Sequence, residues 1–234
     1  LAEPVIEFAR GIRPSPALLG YSMGGRVALE AVLTDPGAFR SAIVIAPHLP
    51  WLRLRWATPL AHLMSPELAA RLPIEAVWSL LKWIAHELQT LPLVRDDSVA
   101  QAGVRLIYYL SCPATRYSLI SAAREMALDP AYGPRGLWSR LPRLEVPTTF
   151  LWGERDRLVP IRFAYRVAKV APQAHQISLS CLQHALNGPH AHCLASLVAA
   201  NLAGEKPEKE GDRPFETAPC RADARTEALG EAPA

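Results

Sequence analysis

The sequence predicts an α/β fold in which a parallel sheet is interrupted by a helical insertion. Short, unbroken apolar runs, typical of strands buried on both faces, occur before position 47 and again after position 142. Within each part, a segment whose apolar residues recur at helical spacing lies between these runs. This arrangement favours parallel strand–helix–strand units. The predicted organisation is an α/β core at 1–46 and 143–203, an insertion at 47–142 and a disordered tail at 204–234.

The amino-terminal part of the predicted core alternates helix and strand. Residues 4–10 resemble the end of a helix, which Gly11 closes. The apolar run at 17–19 predicts a buried strand. From 23 to 34 the apolar residues recur three or four positions apart, which predicts a helix. A second unbroken apolar run at 41–46 predicts the next strand.

The insertion contains four predicted helices. Ser65 caps a short first helix, with proline at the next position and an acid in the first turn. Apolar residues at helical spacing predict a second helix across 74–88. The third is predicted at 97–110 and the fourth at 115–128.

The α/β alternation resumes after the insertion. Strands are predicted at 148–152 and 175–179, and helices at 160–170 and 190–202. From Gly204 onward the sequence is rich in Glu, Lys, Pro and Ala and has few large apolar side chains. This composition predicts the disordered tail.

The first predicted connection between a strand and a helix carries the pattern G-x-S-x-G at residues 20–24. A strand that breaks into a helix within two residues forces Ser22 into a strained turn, which lifts its hydroxyl clear of the backbone. We expect Gly20 and Gly24 to be required because a Cβ atom there would collide with the neighbouring chain. The alternative is an ordinary turn in which the serine is incidental.

A nucleophilic serine needs a base to take its proton and a third group to orient that base. In an open parallel sheet these partners lie on loops at the carboxyl ends of neighbouring strands. Asp156 lies in the loop after one predicted strand, and His184 follows the last strand. The alternatives are a solvated Asp156 with Glu154 as the acid, and His190 or His192 as the base.

These segments resemble the α/β-hydrolase superfamily, in its serine-nucleophile branch. The matching segments are GYSMGG around Ser22, SAIVIA after it, VPTTFLWGERDRLVP around Asp156 and LSCLQHALNGPH around His184. The resemblance covers about residues 1–203, although Gln183 stands where the family often has glycine. It implies that Ser22 attacks an acyl carbonyl, that His184 shuttles the proton and that Asp156 holds His184 in its productive tautomer.

The resemblance also implies an oxyanion hole. One donor is expected from the backbone N–H of Met23, directly after the nucleophile and at the amino end of its helix. The second donor comes, in the family, from a loop after an earlier strand. Family members place several strands ahead of the serine, whereas only 21 residues precede Ser22. We therefore expect an amino-terminally truncated chain, with an α/β-hydrolase fold that lacks its first strands.

The insertion stands where hydrolases of this superfamily carry a helical cap over the active site. Its first residues combine aromatic, aliphatic and arginine side chains. We expect them to line an apolar acyl- or ring-binding pocket, with Tyr21, His48 and Trp51 as candidate substrate contacts. The alternative is that these side chains form the core of the cap itself.

The predicted function is a serine hydrolase, similar to esterases and lipases, with a small apolar substrate. The bond cleaved would be an ester, a related acyl bond or a carbon–carbon bond. The alternatives are an acyltransferase on the same fold, a non-catalytic fragment or scaffold, and a cap that binds lipid surfaces without catalysis.

Composition argues against several other classes. The net charge of +3, without a basic run, argues against nucleic-acid binding. The four cysteines form no C-x-x-C pair, and the group Cys181, His184, His190, His192 and Cys193 matches no zinc spacing, so no metal or cofactor is expected. No apolar run suffices for a membrane span, and the start does not resemble a signal peptide. We expect a cytoplasmic protein whose partner is a small-molecule acyl substrate, and the oligomeric state is left open.

Overall fold

The computed structural model describes residues 1–50, 58–63, 65–72, 83, 112–180, 182–184, 189–204 and 216–218. The chain divides into two compact units, one formed by Leu1–Leu49 with Pro130–Ala234 and the other by Pro50–Asp129. The insertion predicted from the sequence, at 47–142, extends beyond the second unit at both ends. Its second and third predicted helices, at 74–88 and 97–110, lie outside the described residues except for Trp83, which is helical.

Most helices and strands follow the order that the apolar spacing predicts, but the elements at Thr58–Leu63, Leu137–Arg140 and Glu216–Ala218 were not predicted. Short 3-10 helices occur at Pro36–Ala38 and Leu141–Arg143. The other elements, in chain order, are α1 (Glu3–Arg10), β1 (Ala17–Tyr21), α2 (Met23–Thr34), β2 (Ser41–Ile45), α3 (Thr58–Leu63), α4 (Pro66–Arg71), α5 (Pro113–Leu128), α6 (Leu137–Arg140), β3 (Thr148–Gly153), α7 (Arg162–Val170), β4 (His175–Leu179), α8 (Pro189–Leu202) and β5 (Glu216–Ala218).

The first unit is built on a parallel sheet with the strand order β1-β2-β3-β4-β5. Tyr21 pairs with Ile45, Ile45 with Leu151, and Gly153 with Leu179. The carboxyl ends of β1 to β4 therefore meet at one edge of the sheet. This confirms the predicted α/β class and the parallel arrangement.

Both faces of the sheet are covered, which explains why the strands show unbroken apolar runs. On one face, Leu194 of α8 packs with a buried cluster from the strands and the loop after β4. On the other face, Phe150 and Trp152 are fully buried and stack with their ring centroids 5.7 Å apart. The cluster on the first face contains Ile43, Ile45, Leu151, Ile177, Leu179, Leu182 and Leu194.

The carboxyl-terminal segment differs from the predicted disordered tail. Glu216–Ala218 forms β5 and pairs with Ile177–Leu179 of β4. A sheet edge presents unpaired N–H and C=O groups, and a three-residue strand satisfies them whatever the composition of its flanks. The prediction was therefore wrong for these three residues, and those at 205–215 and 219–234 lie outside the described part of the chain.

In the second unit, α4 is held at both ends by side chains. Ser65 caps its amino end by accepting a hydrogen bond from the Leu68 N–H at 3.1 Å, as the sequence predicts. At its carboxyl end, the buried guanidinium of Arg116 donates to the carbonyls of Ala69, Ala70 and Leu72 at 2.9–3.0 Å. Arg116 belongs to α5, which begins at Pro113, two residues before the predicted start. This residue therefore joins α5 to the end of α4.

Candidate active site

Ser22 occupies the one-residue connection between β1 and α2. Its φ of 52° and ψ of −115° are unusual for a residue with a side chain, because the Cβ atom crowds the backbone at positive φ. Three backbone hydrogen bonds hold it there. The Ser22 N–H donates to the Ile45 carbonyl at 2.9 Å, and its own carbonyl accepts from Arg26 at 3.2 Å and from His48 at 2.9 Å.

Close backbone contacts require glycine at two positions near this turn. These positions are Gly20 and Gly25, whereas the sequence predicts Gly20 and Gly24. A Cβ atom on Gly20 would lie 2.4 Å from the Gly24 carbonyl oxygen, and one on Gly25 would lie 3.0 Å from the Pro47 Cβ. A Cβ atom on Gly24 would meet nothing within 4 Å. The prediction for Gly24 was therefore wrong, because the side of α2 that faces the sheet begins at Gly25.

Asp156 lies in the loop after β3, and its side chain is fully buried. One carboxylate oxygen, Oδ1, accepts hydrogen bonds from the backbone N–H groups of Leu158 and Val159, both at 2.8 Å. The other, Oδ2, faces His184. The alternative acid, Glu154, instead accepts a hydrogen bond from the Ser178 hydroxyl at 3.0 Å. Asp156 is thus a buried and oriented carboxylate rather than a solvated turn residue.

Backbone hydrogen bonds connect the loop that carries Asp156 to the loop after β4. The Glu154 N–H donates to the Leu179 carbonyl at 3.1 Å, and the Arg155 N–H donates to the Leu182 carbonyl at 3.2 Å. The loops approach so closely that a Cβ atom on Gly153 would lie 2.3 Å from the Leu182 oxygen. This close pairing sets the position of Asp156 relative to the chain that leads into His184.

The imidazole of His184 lies between Asp156 and Ser22. Its Nδ1 is 2.8 Å from Asp156 Oδ2, and its Nε2 is 3.0 Å from Ser22 Oγ. Both distances are those of hydrogen bonds. In the tautomer with the proton on Nδ1, the ring donates to the carboxylate and can accept the serine proton at Nε2.

Four further residues were predicted for the site, one as an oxyanion donor and three as substrate contacts. Met23 is the first residue of α2, where backbone N–H groups have no partner within the helix. Tyr21 ends β1, and its hydroxyl donates to the backbone carbonyl of His184. His48 is half-buried, and its N–H binds the Ser22 carbonyl. Trp51 lies outside the described residues.

The rival histidines and the metal candidates are only partly described. His190 and His192 lie in α8, where their side chains are not described, and Cys181 lies outside the described residues. Within the part of the chain that the structure describes, no group of three or more His, Cys, Asp and Glu side chains is placed to hold a metal ion. The helices described among these residues also lack the length and hydrophobicity of a membrane span.

Comparison with protein families supports the α/β fold described above. The model of the serine aminopeptidase S33 family matches residues 5–186, a span that includes Ser22, Asp156 and His184. The chain belongs to the S33 family. This confirms the resemblance to the α/β-hydrolase superfamily. No curated protein matches this S33 member significantly.

Solved structures show the same fold at low sequence identity. An α/β-hydrolase enzyme from a Medee basin deep-sea metagenome library is 15% identical, with a TM-score of 0.60 over 90% of this chain and 73% of that one. A Mycobacterium tuberculosis protein is 18% identical, with a TM-score of 0.54 over 87% and 70%. A protein from Acinetobacter baumannii AYE that has been proposed to be a lipase is 16% identical, with a TM-score of 0.53 over 86% and 67%. This S33 member therefore has the α/β-hydrolase fold.

Proposed function

We propose that this S33 family member is a serine hydrolase that cleaves an ester or related acyl bond of a small apolar substrate. The supporting observation is the continuous hydrogen-bonded series Ser22, His184 and Asp156, with contacts of 3.0 Å and 2.8 Å. A serine hydroxyl is a weak nucleophile near neutral pH, and this series supplies both a base and a group that orients the base.

In the first half of the proposed reaction, Ser22 Oγ attacks the acyl carbon while its proton passes to His184 Nε2. The negative charge of Asp156 stabilises the imidazolium that forms. The carbonyl oxygen of the substrate becomes an oxyanion, which the Met23 N–H and the amino end of α2 stabilise. His184 then gives its proton to the leaving group, and the acyl group remains on Ser22.

In the second half, a water molecule replaces the leaving group. His184 takes a proton from the water as its oxygen attacks the acyl-enzyme, and returns that proton to Ser22 as the acid product departs. An alcohol in place of water would make the same site an acyltransferase. Product analysis with added alcohol separates the two reactions. An amide bond, as the family name implies for its relatives, would be cleaved by the same steps.

The experiment that tests this function is intact-mass labelling with a fluorophosphonate. We expect one adduct per chain in the wild type, mapped to Ser22, and none in Ser22→Ala or His184→Ala. The matched controls are Ser139→Ala and His62→Ala, which remove an exposed serine and an exposed histidine and should label as the wild type does. An adduct that persists in Ser22→Ala, or the lack of one on folded wild-type protein, would contradict the proposal.

A second measurement addresses the substrate. Labelled protein should lose hydrolysis of p-nitrophenyl esters in proportion to the adduct, and Ser22→Ala should lower kcat by about 10⁴- to 10⁶-fold. A series of short and long acyl chains then defines the apolar pocket. Hydrolysis that Ser22→Ala leaves unchanged would place the chemistry elsewhere.

A further inference from the structure

Tyr21 makes two contacts with His184 that the proposed reaction does not use. Its hydroxyl donates to the backbone carbonyl of His184, and its ring lies against the imidazole with centroids 5.4 Å apart and planes inclined by 37°. Tyr21 is also the residue directly before Ser22. The same short segment therefore carries the serine and holds the histidine.

The chain that leads into His184 is held at successive points. Leu182 is buried in the core cluster and is bound to the loop of Asp156 through its carbonyl. Gln183 is exposed, and the Tyr21 hydroxyl holds the carbonyl of the next residue, His184. This last hydrogen bond acts on the backbone of the histidine itself, so it restricts the position from which the imidazole projects.

The Tyr21 hydroxyl keeps its proton under all ordinary conditions. Burial, and secondarily the negative charge of Asp156, raise the pKa of Tyr21 above its usual value near 10. The protonated phenol is the form that can donate to a carbonyl oxygen. The hydroxyl can therefore donate to the His184 carbonyl at the neutral pH at which His184 would act as a base.

We propose that Tyr21 is a positioning residue that holds His184 in line between Ser22 and Asp156. The inference rests on the proposed function and deepens it. It gives Tyr21 a different role from the substrate contact that the sequence predicts, because the hydroxyl is already engaged by the histidine. A displacement of the imidazole out of the line between Ser22 and Asp156 would lengthen both of its hydrogen bonds at once.

The first test is steady-state ester hydrolysis by Tyr21→Phe, which keeps the ring and removes the hydroxyl. We expect kcat to fall by about 10- to 100-fold, since misplacement of a reacting group by about 1 Å costs up to 10²-fold. KM should stay within about twofold, because the change acts on the base rather than on substrate binding. Tyr165→Phe, at a half-exposed tyrosine of α7, is the matched control and should leave both constants unchanged.

The second test does not depend on turnover. Protein with ¹⁵N-labelled histidine should show a protonated Nδ1 for His184, assigned by its loss in His184→Ala. In Tyr21→Phe this signal should broaden or shift, while in Tyr165→Phe it should not. Circular dichroism and thermal unfolding establish that each variant is folded.

The outcomes separate the inference from the proposed function. An unchanged kcat with an unchanged His184 signal would overturn the positioning role, as would a rise in KM alone, which indicates a substrate contact. If the wild type forms no fluorophosphonate adduct but Tyr21→Phe perturbs the His184 signal, the proposed function fails and the positioning role stands. If the wild type is labelled and Tyr21→Phe behaves identically, only the inference fails.

Discussion

At the scale of single residues, the orientation of the Asp156 carboxylate decides which of its oxygens faces His184. Its Oδ1 is engaged by two backbone N–H groups, so the carboxylate cannot rotate without breaking both bonds. Its Oδ2 therefore stays directed at His184 Nδ1. Because a carboxylate accepts hydrogen bonds, this contact favours the tautomer with the ring proton on Nδ1, and in that tautomer Nε2 can accept a proton.

We predict that Asp156→Asn lowers kcat for ester hydrolysis by about 10⁴-fold while the protein remains folded. The asparagine can still accept from the two backbone N–H groups, but its amide would donate to His184 Nδ1. The ring proton would then move to Nε2, where it blocks acceptance of the serine proton. The measurement is the kcat of both proteins, with circular dichroism to establish the fold.

Glu154→Gln is the matched control for this prediction. It changes a carboxylate two residues away, whose described partner is the Ser178 hydroxyl. We expect a change in kcat of less than about tenfold, because the site would be affected only through the loop. A loss as large as that of Asp156→Asn would identify Glu154 as the acid instead.

At the scale of elements, the connection between β1 and α2 depends on close backbone contacts. Gly20 faces the first turn of α2, and Gly25 faces the start of the loop after β2. The hydrogen bond from His48 to the Ser22 carbonyl joins the same loop to the turn. The geometry of the serine is therefore set by β1, α2 and the end of β2 together.

We predict opposite effects on stability for alanine at the two glycines of the motif. Gly20→Ala should lower the free energy of unfolding by about 2–4 kcal/mol, because its Cβ atom would overlap backbone atoms that must shift. Gly24→Ala should raise it by about 0.5–1 kcal/mol, because alanine favours the helix and meets no neighbour. Urea unfolding measures both, and equal destabilisation by the two would contradict this account.

A second prediction for the elements concerns Arg116. Replacing it with methionine removes the donors to three carbonyls at the end of α4, and should lower the stability of the second unit by about 2–4 kcal/mol. Arg71→Met, at an exposed arginine of α4, should cost less than about 0.5 kcal/mol. Hydrogen exchange of the α4 amides measures the difference, and equal exchange in the two variants would refute the role of Arg116.

At the scale of the whole molecule, contacts between distant segments hold the first unit together. Glu30 of α2 accepts from Arg26 at 2.7 Å and also binds Arg140 of α6, which lies 110 residues further along the chain. Burial alone would raise the pKa of Glu30, but hydrogen bonds from Arg140 and Arg26 and their charges outweigh it, so the pKa is lowered. Folding therefore favours the ionised form of Glu30.

We predict that Glu30→Gln destabilises the protein by about 1 kcal/mol at pH 7, since partly exposed ion pairs are weakened by solvent. A carboxyl group whose pKa is lower in the folded protein than in the unfolded chain stabilises the folded protein at pH values above the unfolded pKa. This stabilisation is lost as the pH falls through the pKa of the folded protein. The difference between wild type and Glu30→Gln should therefore shrink below about pH 4.5. Glu7→Gln, at an exposed position of α1, should show no such dependence, and a difference that is constant with pH would contradict the prediction.

Local patterns in the sequence were sufficient to predict most elements of the α/β core. The apolar runs and helical spacing identified β1 to β4, and the order of serine, acid and histidine selected Ser22, Asp156 and His184. Their assignment to catalysis stays a prediction. β5 was missed, because three polar and small residues carry no strand pattern and pair only where β4 offers an open edge.

The sequence by itself determined the parallel α/β class, because hydrophobic periodicity depends on neighbours within a few residues. Only the tertiary structure decided which distant groups meet. It brought the Tyr21 hydroxyl into contact with His184, which lies 163 residues later in the chain. It also showed that Gly25, rather than Gly24, lies close to Pro47. Such contacts depend on how strands and loops stack at the sheet edge, and no local pattern records that geometry.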